Sequence, residues 1–203
     1  MVKAKKRWAK RVAAVALACA LGTGAVSALV GCSSDSKSNS DEMSVAWTSN
    51  AGEYNLDPTN NYMGWQGSYL GIYEQLFRID ANFDPQPMLA ESAEMVNDTT
   101  WKITIREGVT FQNGNELNAQ AVADCLNRTI SMNERAKKSL DIASMEATGN
   151  VLTVTTNSLN TAFKNELSEP VASIIDVNSG AAEDEPVGTG PYKIDSVEGN
   201  GDV

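Results

Sequence analysis

Trp101-Lys102-Ile103-Thr104-Ile105-Arg106 alternates apolar and polar residues, and that alternation predicts a strand with one face buried and the other in water. Downstream, Phe111-Gln112-Asn113-Gly114 carries an Asn-Gly turn signal, because both residues tolerate the left-handed backbone of a tight turn. Asn118 can cap a helix from Ala119 to about Ile130, in which Val122, Cys125, Leu126, Thr129 and Ile130 share a face. Met145 to Thr148 and Val151 to Thr155 flank Gly149-Asn150, a hairpin turn. Asn160 is placed to cap a short helix through Leu167, with Pro170 as its stop. Strands and helices mix without regular alternation, so the fold class is α+β (mixed α/β) rather than a doubly wound sheet.

Upstream, Ser44-Val45-Ala46-Trp47-Thr48 reads as a short strand, followed by a turn-rich stretch from Ser49 to Asn61. From Gln66 to Phe77 the pattern is helical, with Tyr69, Leu70, Tyr73, Leu76 and Phe77 on one apolar face. Asp80-x-Asn82-x-Asp84 with Glu91 follows the oxygen spacing of a calcium loop, but Pro85 stands where that loop needs glycine. A turn between two strands is the better reading, and no metal is expected. Gly188-x-Gly190 lacks the third glycine of a phosphate cradle, and Pro191 removes a donor. Asn97-Asp98-Thr99 and Asn127-Arg128-Thr129 match glycosylation sequons by letter alone.

At the N-terminus, Lys3, Lys5, Lys6, Arg7, Lys10 and Arg11 precede an apolar run from Val12 to Val30 that ends in Gly31-Cys32. This is the profile of a secretory signal peptide. An uncleaved transmembrane anchor is the alternative. Residues 32–43 are polar and serine-rich, and predict a flexible tether. Loss of the six basic residues with the signal would leave 10 Lys and Arg against 26 Asp and Glu. A chain near −16 repels phosphate backbones, so nucleic acid is not an expected partner.

Chemistry is constrained by what is missing. The chain has no histidine, and Cys125 is the one cysteine outside the signal and its Gly31-Cys32 boundary, which removes the usual general base and the commonest metal ligand. Cys125 reads as a small core residue. No cofactor is implied. A hydrolase built on paired carboxylates is the enzyme alternative, though no pair stands at a motif spacing.

Six blocks taken in order carry a family resemblance: Leu56-Asp57-Pro58; Gly71 to Leu76; Pro87 to Ser92; Trp101 to Gly114; Asn118 to Val122; and Val187-Gly188-Thr189-Gly190-Pro191-Tyr192. Together they resemble family 5 bacterial extracellular solute-binding proteins, the oligopeptide, dipeptide and nickel binders of ABC importers. The resemblance implies the N-terminal part of a two-lobe periplasmic-binding-protein type II fold with an extra subdomain. It divides the chain into a signal peptide (1–31), the tether (32–43), the start of the main lobe (44–74), the extra subdomain (75–185) and a return strand (186–203). The second lobe is absent, so a truncated, non-functional fragment is an alternative. The Leu29-Val30-Gly31-Cys32 ending resembles a lipobox, which implies lipidation of Cys32 and anchoring outside the cytoplasm. The implied function is capture of a peptide or nickel chelate and delivery to the permease of an ABC importer.

For ligand contact, Tyr62, Trp65 and Gln66 are candidates, set at the start of the helix and off its apolar face. Packing of the lobe is the alternative for Tyr62 and Trp65. Arg135 reads either as a carboxylate clamp or as a solvated surface charge. The aromatic and methionine that nickel-type members turn toward the chelate fall here on Asn61 and Gln66, and neither matches.

Overall fold

The computed structural model of the chain describes residues 56–60, 63–180 and 185–195. The expectations for the signal peptide, the tether, Cys32, the strand at Ser44 to Thr48, and Tyr62 fall outside these residues. The first helix, α1 (Met63–Tyr69), is shorter than the helical pattern suggests. Gly71 adopts φ +71°. The Ile72 N–H donates to the Gly67 carbonyl at 2.8 Å and the Gly71 N–H to the Ser68 carbonyl at 3.1 Å, which together form a Schellman closure. The expected helix from Gln66 to Phe77 is therefore corrected. Tyr73, Leu76 and Phe77 are buried as their spacing implied, but from non-helical backbone beyond α1, while Tyr69 is 65% exposed.

A hairpin of β1 (Phe77–Ile79) and β2 (Pro85–Pro87) follows. The main sheet has four antiparallel strands in the order β3-β4-β6-β5, formed by β3 (Ala90–Asn97), β4 (Thr100–Ile105), β5 (Ile142–Thr148) and β6 (Val151–Thr156). The alternation read in β4 is kept: Trp101, Ile103 and Ile105 are buried, and Lys102 is exposed. Leu152 and Val154 of β6 fall on the same buried side, and Trp101 pairs with Val154 in register. Gly149, at φ +60°, makes the β5–β6 turn where Gly149-Asn150 placed it.

Across β5 and β6 lies α2 (Ala119–Met132). The Asn118 side chain accepts from the Ala121 N–H and caps it. Val122, Cys125, Leu126 and Thr129 are the buried face, joined to the sheet in one apolar core. Asn133 then caps α3 (Glu134–Leu140).

Two local expectations fail. The next helix, α4 (Phe163–Glu166), starts later than expected and has no side-chain cap. Asn160 instead turns its Oδ1 to the Ala162 N–H and donates its amide to the Ser139 carbonyl. Pro170 opens a 3₁₀ turn (Pro170–Ala172) rather than ending a helix, since a first helical position needs no N–H.

Candidate functional site

Asp57 is buried at 2% exposure ahead of α1. A carboxylate in such a place must be paired. Arg128, one face round from the core side of α2, supplies both its terminal nitrogens, Nη1 to Oδ1 at 2.9 Å and Nη2 to Oδ2. The Thr59 N–H and hydroxyl donate to the same Oδ1 at 2.9 and 2.8 Å. Burial pushes the Asp57 carboxyl up, but the bonds from Arg128 and Thr59 outweigh it and hold the group below the ordinary carboxylate range. The Asn133 amide donates to the Thr59 carbonyl at 2.9 Å. The turn before α1 is thereby fixed to the junction of α2 and α3.

The far end of α1 is held just as tightly. The Tyr73 hydroxyl donates to the Leu56 carbonyl at 2.7 Å, and its ring fills the space where a side chain at Gly67 would stand. Burial pushes the Tyr73 hydroxyl pKa well up, so it remains a donor. Gln75 donates its amide to the hydroxyls of Ser68 and Ser173, joining α1 to the 3₁₀ turn.

The return segment closes the same region. Gly188 and Gly190 lie so close to the backbone of 71–73 that a Cβ on either would overlap the carbonyl oxygen of Ile72 or Gly71. That close backbone approach, and not a phosphate cradle, is what the two glycines serve. The two N–H groups of the Gln112 amide are shared among the carbonyls of Ile72, Gly190 and Tyr192, while its Oε1 accepts from the Gly188 N–H. Asp176 accepts from the amides of Asn113 and Asn115 at 2.8 and 2.7 Å. Burial raises the Asp176 pKa, but those two amides together with the Asn178 N–H offset it and leave the carboxyl below its ordinary value.

On this frame Trp65 is half-buried and Gln66 is 9% exposed, adjacent on α1. Arg135 stands apart on α3, its guanidinium 2.9 Å from Glu169 on an exposed surface. The sequence reading missed the groups that fix α1: Arg128, Gln75, Ser173 and Gln112. Asp57-Pro58-Thr59 carried a turn signal, but nothing local marked its partner.

Among the described residues no group of three or more Cys, Asp and Glu could hold a metal ion. The Asp80–Asp84 stretch is the turn between strands that was expected, with the Asp80 carboxylate accepting from the N–H groups of Asn82 and Asp84. The Cys125 thiol is buried, and that burial pushes its pKa up to about 11, so it stays protonated at neutral pH. What remains is aromatic area and an amide on a rigid helix, groups suited to non-covalent contact.

The chain matches the family model described as bacterial extracellular solute-binding proteins, family 5 Middle, over residues 84–203. It is 35% identical over 126 residues to the nickel-binding protein NikA of Staphylococcus aureus. To the glutathione-binding protein GsiB of Escherichia coli it is 33% identical over 138 residues. Each match takes in 62% of this chain and 26% of the relative, so the chain spans about a quarter of the length of the curated relatives it matches. The crystal structure of a nickel ABC transporter from Bacillus halodurans superposes with TM-score 0.68 at 38% identity, covering 71% of this chain and 30% of the other.

Proposed function

We propose that this chain, which belongs to family 5 of the bacterial extracellular solute-binding proteins, contributes one wall of a solute cleft in a protein that serves an ABC importer. Its fold is that of the N-terminal part of a two-lobe, type II periplasmic binding protein. The solute is a peptide or a nickel chelate, in keeping with the nickel-binding and glutathione-binding relatives. The protein acts by binding rather than catalysis, held outside the cytoplasm by a lipid on Cys32 and passing its cargo to a membrane permease. In this reading 44–74 begins the main lobe, 75–185 is the extra subdomain and 186–203 returns to the main lobe.

The observation that carries the reading is the double fastening of α1. Ordering costs are a large part of any binding free energy, and a contact helix fixed at both ends meets them in advance. Trp65 and Gln66 are the contact residues on it, and Tyr62 is the third candidate by sequence. Arg135 sits at the margin, since Glu169 already occupies its guanidinium.

Calorimetric titration with nickel plus L-histidine and with glutathione tests this. One of the two should give saturable binding, which Trp65→Ala weakens by about tenfold or more while the melting temperature stays within a few degrees. Loss of fold in Trp65→Ala with unchanged affinity in Gln66→Ala would remove both residues from the cleft.

A further inference from the structure

The β1–β2 hairpin holds a residue that its geometry does not want. The Asp80 N–H donates to the Asp84 carbonyl at 3.0 Å and the Phe83 N–H to the Asp80 carbonyl at 3.1 Å. This is a three-residue hairpin loop, a turn followed by a left-handed residue, and that last position is one glycine normally fills. Here it is Phe83, at φ +67°. For a bulky side chain this backbone is an outlier that costs stability. No packing offsets the cost, because Phe83 is 81% exposed, the most exposed large apolar residue described. Nor is the turn slack. Asp80 grips it through the N–H groups of Asn82 and Asp84 and the Gln86 amide. The turn is held by these bonds while the Phe83 ring, 81% exposed, presents its apolar face to solvent, where another molecule can cover it.

Charge selects that molecule. Asp80 and Asp84 flank the ring, Arg78 is the one cation of the hairpin, and the chain carries 26 acidic against 16 basic residues. An anionic bilayer and a second copy of this chain are both repelled. A protein surface with an apolar socket and a Lys or Arg rim is attracted.

We infer that the Asp80–Asp84 turn is a docking wedge, with Phe83 entering an apolar, basic-rimmed socket on the outward face of the importer's membrane subunit. That choice of partner rests on the function proposed above.

The test places a photo-crosslinking phenylalanine analogue at position 83 of the full chain in the cells that express it, with the analogue at exposed Met132 as the control. The expected result is an adduct with a transporter membrane subunit from position 83 and not from 132, reduced about tenfold by Asp84→Lys. In parallel, Phe83→Gly should raise the melting temperature by ~2–4 °C through release of the strain. Adducts with lipid or a second copy alone, or none, would overturn the wedge and leave the proposed function standing. An adduct only with a protein outside any transporter would likewise overturn the wedge, while the proposed function is judged separately by the titration above. A Phe83→Gly variant no more stable than the parent would remove the strain argument itself.

Discussion

The four-stranded sheet and the α1 region are held by different kinds of force. In the sheet, Ile103, Ile105, Leu152 and Val154 are buried in the apolar core that the sheet shares with α2, and the stabilisation is the summed, non-directional removal of apolar surface from water. Around α1 the fastening is by a handful of directed contacts: Asp57 to Arg128, Tyr73 to Leu56, Gln75 to Ser173 and Gln112 to three carbonyls. An apolar face degrades gradually as groups are trimmed from it. A polar fastening is binary, because removing one partner leaves the other buried and unsatisfied. A helix carrying ligand contacts is thus set in place by parts that either hold it or release it.

The sharpest attack on this contrast is Arg128→Met. It strips the partner from a carboxylate with 2% exposure, and the expected loss is about 3–5 kcal/mol in chemical denaturation. A loss below about 1 kcal/mol would show that Asp57 is effectively solvated. Gln112→Ala comes next, at about 1–3 kcal/mol. Hydrogen exchange should accelerate at 186–195 and at the Ile72 end of α1 while β4 and β6 stay protected. Uniform acceleration would mean that the two regions form one cooperative unit.

The smallest effect is acid sensitivity. Asp57 and Asp176 both have lowered folded pKa values, so their stabilising contributions are complete above the unfolded carboxylate value of about 4. Each is lost as pH falls through the lowered folded value. Asp176→Asn should lower stability at pH 7, where the carboxylate's contribution is complete, and flatten the further fall below about pH 4. A variant with the parent's acid slope would take Asp176 out of the linkage.

The same contrast explains what could be read from the letters. Period-two alternation in β4, the Asn118 cap and the Gly149-Asn150 turn are local patterns, and each produced the expected element. The helix expected from Gln66 to Phe77 failed at Gly71, where its apolar spacing continued across a Schellman closure. Asn160 failed as a cap because its Oδ1 accepts from the Ala162 N–H, one residue short of a helix that begins only at Phe163. Trp65 and Gln66 could be placed on a helix. What fixes that helix could not be read, since Arg128 and Asp57 lie 71 residues apart and no period links them.

The glycine approach at 188–190 has a kinetic side. Thr189 meets Glu74 at 2.8 Å across a separation of 115 residues, so these contacts close the longest loop in the described chain. The β5–β6 hairpin closes over a two-residue turn. Loop closure must precede the reward from non-local contacts, so the hairpins and α2 should assemble first and the return segment should lock last. During that interval the backbone of 71–73 stands open, and a pulse of deuterium early in refolding would label the Gly190 and Tyr192 amides long after those of β6 are closed.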